Sequence, residues 1–488
     1  MWIVAALVTL TAVIARKLGL REPGGGARVA APVLLTAAFA VALAQTVVVG
    51  VLASFARELR VDAVGAAWLL TAFMLASAVA TPVAGRLGDQ FGHHRVIVAG
   101  LLLLLAGSVV AAVSTGRGWY AGALSGRVVQ GLAGGVFPCS FGLARRLLPS
   151  RRLPGTVAAL SAVFGVGGAV GMVAAGPVTD AAGLAAVFWL VGGLALVALL
   201  GTALLPVPRP ADRTRVALDL PGGALLAATL VALLLAISQG RTWGWLSVPV
   251  VGLGVAAIVS GAVFVLVERR ATAPLIDVHL LVGRRLAALN AATLVIGVGM
   301  FAAVTLLPLF AQTPKAAGYG FGYSPTAAGA LIAPIGLFMI VAVPLTPRLS
   351  ARIGPRGVFQ LGAGLAAAGL LGLAFAHDGP ATVALSGAVL GLAYGFAFGS
   401  LGALVIGATP PQTTGAATGV NTVLRTIGGA AGSALAVTIV AGSGGRAPTE
   451  SGYTTAFAVS AVVALVAIVL AAAIPAVARI EAPTGTRN

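Results

Sequence analysis

Charge is what this sequence has least of. Only 9% of its 488 residues are Asp, Glu, Lys or Arg, against about 25% in a soluble globular domain. So few charges cannot cover a water-facing surface around a chain of this length, so a soluble fold is excluded. Acids are the scarcer sign, 12 against 30 Lys and Arg, for a net charge of +18. A single cysteine, Cys139, excludes an internal disulfide and leaves the redox compartment unreadable. The 4 histidines form no Cys/His/acid cluster with ligand spacing, so neither a metal nor another cofactor is expected, and no catalytic group either. No Gly-Lys-Ser/Thr phosphate loop is present, which argues against an ATP-driven pump within the chain.

What the chain does have is apolar length. It is 59% hydrophobic, with a mean hydropathy of +1.06. Fourteen apolar segments can be marked: 30–54, 64–84, 96–115, 119–143, 155–178, 184–206, 219–239, 247–267, 286–311, 325–347, 358–377, 380–403, 415–441 and 454–475. About 20 residues at 1.5 Å each cross a ~30 Å hydrocarbon core, so each segment predicts a membrane-spanning helix. The expected fold class is an all-α polytopic membrane protein. Its obligatory partner is the lipid bilayer; no protein partner is required by anything in the sequence. Residues 1–15 are apolar but shorter than the ~17 needed to span. An interfacial helix, an extra short span and a signal peptide all fit them. Glu22-Pro23-Gly24-Gly25-Gly26 reads as a linker.

The net charge of +18 invites a nucleic-acid reading. The basic residues do not share a face with aromatics, however, so no nucleic acid is expected. They lie between spans. With the 85–95 loop in the cytoplasm, Arg145, Arg146, Arg151, Arg152, Arg209, Arg213, Arg215, Arg269, Arg270, Arg284, Arg285, Arg348, Arg352 and Arg356 all fall inside. The opposite topology would reverse that bias, so the orientation follows the positive-inside rule and leaves the C-terminus cytoplasmic. Trp119, Tyr120, Trp243 and Trp245 then stand at the outer interface, as an aromatic belt requires.

The chain also repeats itself. Leu124-Ser125-Gly126 returns as Leu385-Ser386-Gly387, and Gly167-Gly168-Ala169 returns at the same offset as Gly428-Gly429-Ala430. Gly171 returns as Gly432. Parallel halves about an axis normal to the membrane are one way transporters build a site at the bilayer midplane. The expected organisation is an N-terminal segment over 1–29, a six-helix bundle over 30–206 and two linking spans with basic loops over 207–285. A second six-helix bundle follows over 286–475, then a cytoplasmic tail over 476–488.

Polar residues inside spans are costly, so each is a functional candidate. Arg127 lies well within the fourth segment, with Gln130 one turn on. A central charge costs roughly 2.5–3.5 kcal/mol, so Arg127 must face a wet cavity or a partner. Coupling to transport and bonding to backbone carbonyls both satisfy that demand. Arg425 lies ten residues into the thirteenth segment, on one helical face with Asn421, Gly428 and Gly432. Gly167, Gly171 and Ala175 form a small-residue ridge for helix packing. Gln45, Thr46, Thr71, Asn290 and Thr305 are further candidates for a polar path. No acid lies deep in a span. Two guanidiniums without a carboxylate should favour anionic or neutral amphiphiles over permanent cations.

The polar stretch Gly85-Arg86-Leu87-Gly88-Asp89-Gln90-Phe91-Gly92-His93-His94-Arg95 resembles the loop between helices 2 and 3 of major facilitator superfamily transporters, with Gly, Leu, Asp, Gly and the final Arg in place. Gln90 and His93 replace basic residues. Arg127 with Gln130-Gly131 is similar to the family's span-4 motif. The Gly-rich fifth segment resembles the antiporter motif, with Gly168 and Met172 where prolines are usual. Gln312-Thr313-Pro314-Lys315 through Pro325, Glu268-Arg269-Arg270 with Pro274-Leu275, and the linking pair resemble the fourteen-span drug:proton antiporter group. The first segment departs from that group, with Ala44 where its Leu-Asp-x-Thr has an acid. The resemblance implies a major facilitator fold in a bacterial plasma (inner) membrane. It implies efflux of small amphiphilic drugs or antibiotics by alternating access in exchange for protons, with Gly85, Asp89, Gly92 and Arg95 as a conformational latch. The missing acid keeps a second reading, an uncoupled or anion-linked carrier of anionic or neutral metabolites. A membrane-embedded enzyme is a remote third.

Overall fold

The computed structural model describes residues 25–205, 219–271, 274, 283–410, 413–441 and 449–474. The expectations for residues 1–24, for the tail and for the loop carrying Arg209, Arg213 and Arg215 lie outside the described residues, as does Leu275.

All described elements are helical. In chain order they are α1 (Gly25–Thr46), the short α2 (Leu52–Glu58), α3 (Ala63–Phe91), α4 (His93–Gly116), α5 (Tyr120–Gly131), α6 (Val136–Leu147), α7 (Leu153–Ala182) and α8 (Ala186–Leu204). Then follow α9 (Leu220–Trp243), α10 (Val248–Arg270), α11 (Arg284–Gln312), α12 (Pro325–Phe375), α13 (Pro380–Ala408), α14 (Thr414–Ala441) and α15 (Glu450–Ala472). Eleven described helices are long and apolar enough to cross a membrane, twelve when the bent α7 is included. The expected fourteen differ from that count for two physical reasons. At 51 residues α12 is too long for one crossing, and it breaks at Gly354, whose φ is 76°. Its arms, 325–353 and 355–375, correspond to two expected segments. The fourth segment is split into α5 and α6 by the 3-10 turn Leu132–Gly135, where Gly-rich sequence weakens the α-helix.

The 85–95 stretch is not the eleven-residue loop the sequence suggested. Helix α3 runs on to Phe91 and α4 begins at His93, so Gly92 alone turns the chain, at φ 99°. A positive φ is accessible to glycine at little cost. Gly354 makes the equivalent corner within α12.

Two buried cores organise the helices. One gathers α1 to α8, and the other gathers α11 to α15 together with Val166 of α7. Equivalent packing recurs in both: Gly131 lies against the Phe73 carbonyl of α3, and Gly391 against the Ile335 carbonyl of α12. The halves meet along two seams, α3 on α14 and α7 on the first arm of α12. The linking pair joins through Thr229 Oγ1 donating to Ser260 Oγ at 3.0 Å. Phe264 of α10 packs with Val83 and Val420, so this pair covers the α3–α14 seam.

The α11–α14 contact depends on missing side chains. A Cβ on Gly428 would overlap the Leu294 carbonyl, and one on Gly432 the Val298 carbonyl. Gly428→Val is expected to cost about 1–3 kcal/mol as overpacking, read as a lowered Tm in detergent. Gly193→Ala, where a Cβ meets nothing within 4 Å, should leave the Tm unchanged or raised.

Candidate functional site

Arg127 is fully buried, at 0% exposure. Its Nε donates to the Leu69 carbonyl at 2.8 Å, and its Nη1 donates to the Ala44 carbonyl at 2.8 Å and to Gln130 Oε1 at 2.7 Å. Gln130 Nε2 donates to Ser108 Oγ at 2.8 Å, and Ser108 donates to the Leu104 carbonyl at 2.7 Å. The guanidinium carbon stands 4.4 Å from the centroid of the Phe73 ring. One side chain thus ties α5 to α1 and α3, and through Gln130 to α4. Ala44 lies in the last turn of α1, where carbonyls lack intrahelical donors and the helix dipole is negative. The end of α1 therefore supplies the compensation that a carboxylate at position 44 would have given. No acid pairs with Arg127 among the described residues.

Arg425 sits elsewhere. Its guanidinium carbon lies 5.1 Å from the Phe137 ring centroid of α6 and 5.2 Å from that of Phe398 of α13. It therefore reaches from the second half onto an aromatic of the first, in cation–π geometry. A cavity of about 20 Å³, bounded by Arg425, Asn421, Thr418, Ser161, Phe141 and their neighbours, lies between the halves. That is room for about one water. Asn421 Nδ2 donates to Thr293 Oγ1 at 2.7 Å and to Asn290 Oδ1 at 3.3 Å, so the amide is held on α11. The two arginines do not share a cavity in this conformation: Arg127 is enclosed in the first half and only Arg425 lines the space between halves. Gln45 is buried beside the Ala44 acceptor. Thr46 meets Gly171, and Ala42 meets Gly167, so the small-residue ridge forms the α1–α7 contact.

The Gly92 corner joins the halves at one end of the molecule. Asp89 Oδ1 accepts from the Gly415 amide at 3.1 Å, and Oδ2 accepts from the Ala416 amide at 2.9 Å. These amides belong to the first turn of α14, where donors are unpaired and the dipole favours an anion. His93 Nε2 lies 3.0 Å from Asp89 Oδ1, and both side chains are buried. Gly85 lies directly against the Gly415 carbonyl. Arg145 Nη1 adds a bond to Thr414 Oγ1 at 2.8 Å. Arg95 is exposed and has no polar partner among the described residues. Sequence reasoning missed Ser108, Phe73, Phe137, Phe398 and Thr414 as members of these clusters. Only Ser108, a polar residue near the middle of its span, carried a readable signal.

The model of the Major Facilitator Superfamily matches residues 34–433 and 289–486. The chain is 32% identical over 470 residues to the puromycin resistance protein pur8 of Streptomyces alboniger, covering 90% of this chain and 89% of that one. It is 28% identical over 411 residues to the tetracenomycin C resistance and export protein of Streptomyces glaucescens, covering 83% and 74%. Among solved structures, the human organic anion transporter MFSD10 (TETRAN) superposes with a TM-score of 0.65 at 18% identity, covering 92% of this chain and all of that one. That likeness shows the fold. The all-helical architecture, the repeated halves and these matches agree: the chain belongs to the Major Facilitator Superfamily and is a multi-pass membrane transporter, not an enzyme.

Proposed function

We propose that this transporter exports small amphiphilic compounds of the antibiotic type from a bacterial cell by alternating access, in exchange for protons. The names of the tetracenomycin and puromycin relatives support the substrate class. The observation that carries the mechanism is the Asp89 corner clamped on the first turn of α14. It closes the seam between two repeated halves at one end, with Arg425 and its small cavity directly behind. Rocking of the halves would break this contact and open that cavity. Gly85, Asp89 and Gly92 form the latch in this reading, with Arg95 an exposed charge beside it, and Arg127, Gln130, Gln45, Thr46, Asn290, Asn421 and Arg425 line or brace the path. The bundles are 30–206 and 286–475, with 207–285 as the linking unit. The positive-inside rule supports a cytoplasmic Asp89 end and C-terminus, in the inner membrane of the cell.

A second reading, an uncoupled or anion-linked carrier, is favoured by one specific observation. Arg127 is compensated by the carbonyls of Ala44 and Leu69 rather than by a carboxylate that could carry a proton. Inside-out vesicles with an imposed acid interior separate the two. Anionic and neutral amphiphiles are expected to release protons, and a matched permanent cation to release none. Movement of compounds without any change in the gradient would remove proton exchange. Preference for the cation would remove the charge argument.

A further inference from the structure

The two seams between the halves are covered differently. The α9–α10 pair packs against α3 and α14. The other seam, α7 against the first arm of α12, contains an open groove of about 590 Å³ that α1 also borders. Its lining is entirely apolar and includes Leu35, Ala159, Val163, Val166, Val341 and Leu345. In volume it matches about twenty waters at ~30 Å³ each, yet it offers them no polar partner.

The groove has a charged mouth. On α12, Val341, Leu345, Arg348 and Arg352 follow one another at steps of three and four, so both arginines continue the groove stripe. On the other side of the groove, Ala159, Val163 and Val166 share one face of α7, and Arg152 is the residue that opens that helix, seven positions before Ala159. Arg348 stands about 4.5 Å beyond Leu345 along the axis, and Arg152 about 10 Å before Ala159. All three arginines are exposed, and their side chains make no hydrogen bond or ion pair among the described residues. The one acid of α7, Asp180, lies at its opposite end and α12 carries none, so neither helix offers a counter-charge at the mouth.

We propose that this seam is a binding site for one anionic phospholipid of the bilayer, with an acyl chain in the groove and the headgroup phosphate on Arg152, Arg348 and Arg352. Apolar contact alone gives little selectivity inside a bilayer, because lipid tails are as apolar as the lining. The headgroup therefore sets the preference, and three unpaired guanidiniums favour a net anionic lipid over a zwitterionic one. The exposed apolar stripe of α10, with Val251, Val255 and Ile258, also ends in arginines, Arg269 and Arg270, but both belong to one helix, whereas Arg152 and Arg348 bring charge to the groove from both sides of the seam. The site is independent of which compounds the transporter exports.

The full chain, purified in detergent, would be offered equal phosphatidylglycerol and phosphatidylcholine of identical chains and examined by native mass spectrometry. One phosphatidylglycerol is expected to be retained with about tenfold preference. The triple variant R152Q/R348Q/R352Q should bring that ratio to about one. These side chains are exposed and unpaired, so the variant tests charge rather than folding. Ala159→Trp, which fills the groove and keeps the arginines, should remove the retained lipid. Equal retention of both lipids by the unaltered chain, or an unchanged preference in either variant, overturns the proposal. Retention of an amphiphilic compound in the groove with no headgroup preference would make it a portal for substrates, and overturns it as well.

Discussion

Arg127→Lys is expected to lose transport as completely as Arg127→Ala, about a hundredfold or more in initial efflux rate per inserted protein. The reason is geometric. The guanidinium sends bonds in three directions, to Leu69, Ala44 and Gln130, while its carbon lies over the Phe73 ring. A lysine ammonium is a single point of charge and cannot reproduce that fork. It would leave at least one buried acceptor unpaired, at about 1–3 kcal/mol each. An incompletely solvated cation between the helices adds to that cost. With alanine the charge is gone, but the carbonyl at the end of α1 and the Gln130 amide oxygen lose their donor. Both changes loosen the register of α1, α3 and α5, and that register positions the first half against the second. Efflux from vesicles, normalised to protein in the membrane, reads the result. A lysine variant near the original rate would mean that positive charge alone is needed at this depth, and the brace would be dismissed.

Much of this was legible in the residues. Apolar runs placed the helices, because only a backbone that satisfies itself crosses lipid. The repeated Gly and Ser positions marked the two halves, and Arg127 and Asp89 stood out as charges where charge is expensive. Other features depend on contacts between segments distant in sequence. The partner of Arg127 is a backbone carbonyl, which no side-chain pattern reveals, and it replaces the acid missing at Ala44. Arg425 shares a stripe with Gly428 and Gly432 and reads, with Arg127, as a second guanidinium of one polar path. Its flexible side chain instead crosses the seam to Phe137. The stretch around Gly92 looked like a loop because its residues are polar, yet 85–91 are the last two turns of α3 and 93–95 open α4. A helix can carry polar residues at its end wherever that end reaches the interface, so composition located the membrane surface and misjudged the local backbone.

Asp89→Asn is expected to open the end that Asp89 closes, raising the population of the separated form about tenfold. The carboxylate accepts two amides at the start of α14 across the seam. A charge-assisted bond of this kind is worth about 1.5–3 kcal/mol, and an anion at a partly buried helix N-terminus up to about 2 kcal/mol. Asparagine is neutral and turns an NH2 group toward one of the two amides, so one bond is lost and a donor faces a donor. A net loss of about 1.4 kcal/mol corresponds to the tenfold shift. Spin labels at Ala99 and Ile353, both exposed, would report the distance between the halves in a Cys139→Ser background. The hydroxyl introduced there would still donate to the Ala84 carbonyl that the thiol meets now. The long-distance component should grow in Asp89→Asn and stay within about twofold of the original in Arg95→Gln. Arg95 is exposed and lacks a polar partner among the described residues, so its contribution is a screened surface charge. Equal shifts in the two variants would assign the closure to the general charge of the corner. A shift confined to Asp89 assigns it to two hydrogen bonds on one helix end, and makes the start of α14 the element whose release begins the transport cycle.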